Sequence, residues 1–182
     1  IAETRNRLRL LQPWLEARVA TGSTEPGTHN ALGKRYITLN KDPKAFLLNN
    51  MFYEPKVIGK FCESLDPSLA FLAYKKSSGD CDDDLIKISF EHGLYRDLAR
   101  YLVERQDLEL WARVLKKEDS EDAKEDPQKR QLIDHVVEWA LPESTNADEV
   151  SCTVKALELI VLLECIILQD LTFLITRTCR IF

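Results

Sequence analysis

The stretch that decides the fold runs from Leu94 to Lys117 and reads LYRDLARYLVERQDLELWARVLKK. In its first half, four apolar residues recur at i, i+4, i+7 and i+8, namely Leu94, Leu98, Tyr101 and Leu102. Charged side chains lie on the opposite face. This spacing predicts an amphipathic helix over 94–105 with one apolar face.

A second helix is predicted almost at once. Asp107 fits its N-cap, because a short carboxylate accepts the free amide hydrogens of a first turn. Leu108, Trp111 and Leu115 then share one face of a helix over 108–117. Two helices joined by one or two polar residues are expected to fold back on each other, since neither buries its apolar face alone. We therefore expect Trp111 to fill the seam between them.

This pair of helices partly matches an earlier part of the chain. Residues 69–76 (LAFLAYKK) align with residues 98–105 (LARYLVER), and Asp84-Leu85 aligns with Glu109-Leu110. A helical period of about 25 to 30 residues is typical of α-solenoids, and small residues such as Ala70, Ala73 and Ala99 permit close helix packing. The alternative is that any helical chain shows some self-similarity. We predict an all-α fold, an α-solenoid of short antiparallel helical hairpins.

Helix starts are marked by an acid followed by proline, which is tolerated at the first helical position. Five such pairs occur: Glu25-Pro26, Asp42-Pro43, Glu54-Pro55, Asp66-Pro67 and Asp126-Pro127. The predicted short helices are 27–39, 43–49, 55–64, 67–77, 82–92, 94–105 and 108–117. No segment alternates with a period of two, so strand content is expected to be near zero.

The opening helix carries Leu8, Leu11, Leu15 and Val19 on one face, with Gly22 closing it. Pro13 lies inside it and removes a backbone donor, so a kink or break near residues 10–12 is expected.

Further apolar faces are predicted from spacing alone. In 55–64 the stripe is Val57, Phe61 and Leu65, widened by Ile58 and Cys62. In 127–141 the buried face is Ile133, Val136, Val137 and Ala140, with Pro142 just beyond the helix, and another helix covers about 147–156. We interpret the large aromatic residues at helical positions as core-filling residues: Trp14, Trp111, Trp139, Tyr36, Tyr74 and Tyr101.

Charge separates one segment from the rest. The net charge is -5, from 25 Lys and Arg against 30 Asp and Glu, and residues 118–126 (EDSEDAKED) carry six acids and one base. The remainder is balanced, which argues against nucleic-acid or anionic-membrane binding. Residues 117–126 are predicted to be an exposed, flexible acidic loop. Within it, Ser120 fits an acid-directed kinase site, although an unmodified, solvated serine is the favoured interpretation.

The two ends of the sequence and its cysteines indicate what kind of protein the chain belongs to. The sequence begins at Ile1 in mid-pattern, so we expect a segment of a longer chain. Its C-terminal part is apolar but is interrupted by Glu158, Glu164 and Asp170, which favours a buried helix over a membrane span. The cysteines lack metal-ligand spacing and fit reduced thiols of a cytosolic protein: Cys62, Cys81, Cys152, Cys165 and Cys179.

The sequence offers no catalytic, cofactor-binding or metal-binding residues, and we predict no cofactor. Consecutive Asp82-Asp83-Asp84 suit the first turn of a helix better than a metal site, because neighbouring positions point apart. His29, His92 and His135 are far apart in sequence and lack ligand motifs. No phosphate-binding glycine loop or nucleophile elbow occurs. An enzyme is therefore not expected.

Long strings of residues resemble the clathrin heavy-chain family. They are RNRLRLLQPWLEARV (5–19), THNALGKRYI (28–37), KAFLLNNMFYEPKVIGKFCESLDPSLAFLAY (44–74), ARYLVERQDLELWARVL (99–115) and KRQLIDHVVEWALPES (129–144). The similarity covers about residues 2 to 156. The acidic stretch 118–126 is longer than the family's turn, and residues 157–182 diverge from the family pattern. Residues 1–182 are thus interpreted as one α-solenoid fragment of a longer heavy-chain leg.

The resemblance implies a structural role. It also implies that this segment lies in the outer half of a triskelion leg, toward the bend at the knee. Legs of this family interdigitate to form the polyhedral lattice of coated pits and coated vesicles in endocytosis and intracellular vesicle transport. Implied partners are other heavy chains, with the light chain and adaptors bound through other segments, without nucleic acid or direct membrane insertion. The implied location is the cytoplasmic face of coated pits and vesicles at the plasma membrane and Golgi. The alternatives are a peptide-binding α-solenoid adaptor and a vacuolar tethering-complex subunit, which shares the repeat.

Overall fold

The computed structural model describes residues 8–77, 79–115 and 127–165. Within these ranges the chain is all-α, without strands. Its helices are α1 (Leu8–Ala20), α2 (Pro26–Thr38), α3 (Pro43–Asn49), α4 (Pro55–Glu63), α5 (Pro67–Lys75), α6 (Asp82–His92), α7 (Tyr95–Arg105), α8 (Leu108–Leu115), α9 (Pro127–His135), α10 (Leu141–Glu143) and α11 (Ala147–Cys165). A π-helical segment, Val136–Ala140, joins α9 to α10.

The five acid–proline pairs all mark helix starts, as predicted, because each proline occupies the first residue of α2, α3, α4, α5 or α9. The acids act differently. Asp42 and Asp66 accept backbone amide hydrogens of the first turn with their side chains. Glu25 and Glu54 form no such cap, since their side chains are longer by one methylene.

Helix ends use left-handed residues. Gly22 has a φ of +84°, the amide of Ser23 donates to the carbonyl of Arg18, and the amide of Gly22 donates to Val19. This is a Schellman ending, so the prediction that Gly22 closes α1 is confirmed. Asn40 ends α2 in the same way with a φ of +52°.

The contacts divide the chain into two units, Ile1–Leu94 and Tyr95–Phe182. In the first unit, neighbouring helices pack in the pairs α1 with α2, α4 with α5, and α5 with α6. Next-but-one helices also pack, namely α2 with α4 and α3 with α5. Packing of each hairpin on its sequence neighbours is characteristic of α-solenoids, and it confirms the predicted fold class.

In the second unit, α7 and α8 do not pack mainly on each other. The close backbone approaches of α7 are to α9, the π-helical segment and α11, whereas those of α8 are to α11. The expected folding-back of one helix on the other is therefore wrong in this respect. The short link through Gln106 and Asp107 joins the two helix ends, and α11 packs on both helices.

The proposed internal repeat is visible in the burial pattern. Ala70 and Ala99 are each 0% exposed, as are Ala73 and Leu102. Other aligned positions differ, since Phe71 is buried and its counterpart Arg100 is exposed. The match therefore reflects a shared packing role at these buried positions and not along the whole of α5 and α7.

Several predicted faces are rotated from their true position. In α4 the buried residues are Ile58, Gly59 and Cys62, whereas Leu65 lies beyond the helix end and is 57% exposed. In α8 the buried residues are Leu110, Trp111 and Val114, and Leu108 is 41% exposed. Leu108 is the first helical residue, so it extends past the packed part of the face.

The region after Pro127 differs most from expectation. Leu132, Val136 and Ala140 are buried, and Val137 is exposed. A π-helical segment has more residues per turn than an α-helix, so the predicted 3.6-residue stripe does not hold across it. Pro142 lies inside α10 rather than beyond the helix, and α11 continues past residue 156 to Cys165.

Helix α1 continues through Pro13, so the predicted break near residues 10–12 does not occur, and the alternative, a kink there, stays a prediction. Among the residues of its predicted face whose burial the structure describes, Leu15 is buried, Val19 is half-buried and Leu11 is exposed. The acidic loop 117–126 with Ser120, and the divergent residues 166–182, lie outside the described residues.

Candidate functional site

The acids and histidines that were weighed as ligands are used locally. Asp82, Asp83 and Asp84 occupy the first turn of α6, and Asp84 pairs with Lys60 at 3.3 Å. His92 is exposed at the end of α6. His135 is half-buried, with its ring stacked on Tyr95 at 6.4 Å between centroids. Within the described ranges, no three His, Cys, Asp or Glu side chains are grouped so that they could hold a metal ion.

Cys62, Cys81 and Cys152 are unpaired thiols. Cys62 and Cys81 are buried, and Cys152 is half-buried. Burial raises the pKa of the Cys62 thiol to about 12, and Asp66 adds to this effect. A thiol with such a pKa is almost entirely protonated at neutral pH, so Cys62 is a core residue rather than a nucleophile.

The large aromatics divide into two classes, which corrects the prediction that all fill the core. Trp111 and Tyr74 are buried, with 1% and 0% of their surface exposed. Trp14 and Trp139 are 52% and 46% exposed. Arg18 lies 5.1 Å above the Trp14 ring and Arg96 lies 4.9 Å above the Trp139 ring. These rings are surface features covered by arginines.

Beside Trp139, two arginines of α7 share one carboxylate. Arg96 Nη2 lies 3.1 Å from Glu143, and Arg100 is also hydrogen-bonded to Glu143. The Arg100 hydrogen bond is the main cause that lowers the pKa of Glu143. All three side chains are largely exposed, so this network contributes little to stability and forms a polar surface.

The first unit contains an apolar cavity of about 540 Å³. It lies among α1, α2, α3 and the loop that follows α3, and its lining includes His29, Leu32, Phe46, Met51 and Phe52. Met51 is 73% exposed and Phe52 is 46% exposed. The loop residues therefore form an open apolar wall.

A lysine from α5's end holds this loop on one side. Lys76 Nζ donates to the carbonyl oxygens of Leu47 at 3.0 Å and Leu48 at 3.2 Å, and also to that of Asn50. Its ammonium lies 5.2 Å from the Tyr53 ring centroid. Burial lowers the pKa of Lys76. The positive charge caps the C-terminal carbonyls of α3, where the helix dipole favours it.

Sequence reasoning missed both the cavity and its holding contacts. His29 and Asn50 are 21 residues apart, and Lys76 and Leu47 are 29 apart. No local pattern reports such pairs. The only available signal was the apolar Met51-Phe52 pair between two helices.

Comparison with known proteins gives a consistent result. The family model described as "Clathrin: Region in Clathrin and VPS" matches residues 1–126. The chain is 56% identical to the clathrin heavy chain of Dictyostelium discoideum and 49% identical to that of Drosophila melanogaster, in each case over 178 residues. It is 48% identical to clathrin heavy chain 2 of Homo sapiens. Each match covers 94% of this chain and 10% of the relative, so the chain spans about a tenth of the length of these curated relatives.

Proposed function

Because the chain belongs to the family of repeat regions found in clathrin and VPS proteins, we propose that it is a structural segment of the leg of a clathrin heavy chain. The observation that carries this proposal is the identity of 46% to 56% with relatives named clathrin heavy chain, over 94% of the chain. The same family model also includes VPS proteins, and this keeps a tethering-complex subunit as the second candidate.

The packing supports a mechanical role. In the first unit each helix is buried against its sequence neighbours, and the seams contain residues such as Ile58, Tyr74 and Leu85 that are 0% exposed. Stability of this kind comes from contacts between adjacent repeats, so each hairpin adds length and stiffness without housing a reaction. The charged side chains described above serve caps and surface ion pairs. We infer a structural rather than catalytic role.

The partners follow from the proposed role. Other heavy chains would contact this segment in a lattice through individually weak, polar contacts that multivalency strengthens. Light chains and adaptors would bind other segments of the longer chain. The place of action would be the cytoplasmic face of coated pits and vesicles. No helix in the described part of the chain has the length and apolar character of a membrane span.

A deletion tests the proposal. In a full-length heavy chain that carries this segment, removing residues 94–117 should leave trimer formation and adaptor binding intact, and closed cages should be altered or absent in electron micrographs. The isolated 182-residue chain should sediment as a monomer. Normal cages from the deletion variant, or stable trimers of the isolated chain, would show that the segment is not a structural spacer.

A further inference from the structure

His29 in α2 is buried, with 2% of its surface exposed, and both its ring nitrogens have polar partners. Nε2 lies 2.7 Å from the carbonyl oxygen of Ser23. Nδ1 lies 2.8 Å from the side-chain nitrogen of Asn50. A carbonyl oxygen only accepts hydrogen bonds, so Nε2 carries a hydrogen and donates it to Ser23.

The orientation of Asn50 is fixed from its other side. Its Oδ1 accepts the backbone N–H of Phe52 at 2.9 Å, so its NH₂ group faces the imidazole and donates to Nδ1 of His29. Nδ1 must therefore present a lone pair. All these donors and acceptors are matched only when His29 is neutral and its hydrogen is on Nε2.

We propose that His29 is a proton-sensitive latch that holds the loop Asn50–Tyr53 against the apolar cavity of the first unit. A second proton on the imidazole would place Nδ1–H against the amide hydrogens of Asn50, and two donors repel. Flipping the Asn50 amide would present Oδ1 to the imidazolium, but it would then turn NH₂ toward the Phe52 amide. After the flip, the donors of Asn50 and of the Phe52 amide would face each other, so one hydrogen bond is lost in either orientation. Protonation therefore releases the loop from α2.

The titratable groups that line the same cavity are Tyr36, Lys41 and Asp42, and Lys41 is paired with Glu16 of α1 at 3.3 Å. In the segment before α2, Glu25 is bound by Arg18 and Thr28.

On the loop itself, Lys76 from the end of α5 places an ammonium on the carbonyl oxygen of Asn50. Glu54 lies at the start of α4, where its backbone amide donates to Asn30 Oδ1 at 2.9 Å. The Phe52 ring is in direct contact with the latch, with its centroid 5.1 Å from that of the His29 ring.

Release of the loop has a defined structural effect. Met51 and Phe52 form part of the cavity lining, and they are already partly exposed. When the His29 latch opens, Lys76 still holds Asn50, and Tyr53 stays anchored because its hydroxyl donates to the carbonyl oxygen of Leu47 at 3.2 Å. The movement is therefore confined to Met51 and Phe52, and the loop does not unfold. The apolar lining of the cavity of about 540 Å³, which is already open on the loop side, then becomes more exposed to solvent as the pH falls.

Amide hydrogen exchange on the whole chain tests the latch. Exchange of the Phe52 amide is measured at about pH 7.5 and at about pH 5, because histidines generally change charge within this range. Each rate is corrected for the intrinsic pH dependence of amide exchange. Corrected exchange should rise about tenfold at the lower pH, because the hydrogen bond to Asn50 is lost. His92→Gln, which removes an exposed histidine, should keep this rise. His29→Gln, which cannot be protonated, should abolish it.

A second measurement does not depend on a variant that folds. Side-chain ¹⁵N spectra of the unaltered chain should show His29 with its hydrogen on Nε2 at neutral pH. Protonation of the ring and the change at the Phe52 amide should share one midpoint. The opposite tautomer, protonation without any change at Phe52, or an unchanged pH response in His29→Gln would each overturn the proposal.

Discussion

The ring of Tyr74 occupies the space in which a side chain of Gly59 would begin. A Cβ atom on Gly59 would lie 2.2 Å from Cε1 of Tyr74 and 2.5 Å from two further ring atoms. Tyr74 is 0% exposed, and its hydroxyl donates to Glu63. The ring is therefore fixed at both ends, and the close approach of α4 to α5 depends on glycine at this position.

Gly59→Ala should lower the free energy of unfolding by about 1–3 kcal/mol, the usual cost of overpacking a core. This outcome opposes helix propensity, which favours Ala over Gly by about 1 kcal/mol. Gly27→Ala in α2 is the control, because no atom lies within 4 Å of its Cβ position. That variant should gain about 0.4–1 kcal/mol in urea titrations. Equal stabilities of the two variants would contradict the packing described here.

Two tryptophans of the second unit, one buried and one half-exposed, should contribute differently to the free energy of unfolding. Trp111→Ala should cost about 3–5 kcal/mol, because it removes a buried aromatic ring. Trp139→Ala should cost less than about 1 kcal/mol, since that ring is half-exposed beneath Arg96. Circular dichroism during urea unfolding measures both. A loss below about 1 kcal/mol for Trp111→Ala would mean that α8 is packed on another face.

Glu16 predicts a pH-dependent contribution to stability. Its Oε1 accepts hydrogen bonds from Gln12 at 3.0 Å, Tyr36 at 3.0 Å and Lys41 at 3.3 Å. The Gln12 hydrogen bond, followed by the other two, lowers the pKa of Glu16 in the folded chain. A lowered folded-state pKa means that the stabilisation is present above the unfolded-state pKa and is lost as the pH falls through the folded-state pKa.

Glu16→Gln should therefore be less stable than the unaltered chain at neutral pH, and the difference should narrow in acid. Unfolding titrations at a series of pH values give this comparison. Glu91→Gln, which alters an exposed pair with Lys87 at 3.8 Å, is the control and should show a smaller change. A Glu16→Gln difference that grows in acid would refute the assignment.

Lys76→Met tests the cap on α3. The variant keeps most of the side-chain length but loses the donor to the carbonyls of Leu47, Leu48 and Asn50, so it should cost about 1–3 kcal/mol. Exchange of the amides in 50–53 should also accelerate. Lys44→Met, at an exposed position of α3, should change stability by less than about 0.5 kcal/mol. Matching losses in the two variants would argue against the cap.

Local signals in the sequence predicted local structure well. The acid–proline pairs gave the helix starts, and Asp107 is the predicted N-cap, with its Oδ1 accepting the amide of Glu109 at 2.9 Å. Both depend on residues within one helical turn. The predicted burial of Trp111 is also correct. Its predicted place in a seam between α7 and α8 is not, because these two helices do not pack mainly on each other.

Features that join distant residues were not predictable in this way. Val137 is exposed because a π-helical segment shifts the register, and nothing in its neighbourhood signals that change. Trp139 is half-exposed, and the side chain that lies over its ring, Arg96, comes from another helix. The close approach at Gly59 and the contact between His29 and Asn50 appear only once the helices are packed.

The most direct test of the central claim is a replacement experiment. In the clathrin heavy chain of Dictyostelium discoideum, the matching stretch would be exchanged for this chain, which is 56% identical to it over 178 residues. The same replacement lacking residues 94–117 serves as the control. Electron microscopy of purified, reassembled protein should show closed cages for the full replacement and defective ones for the control. A folded, trimeric replacement protein that forms no cages would contradict the assignment of this chain as a leg segment.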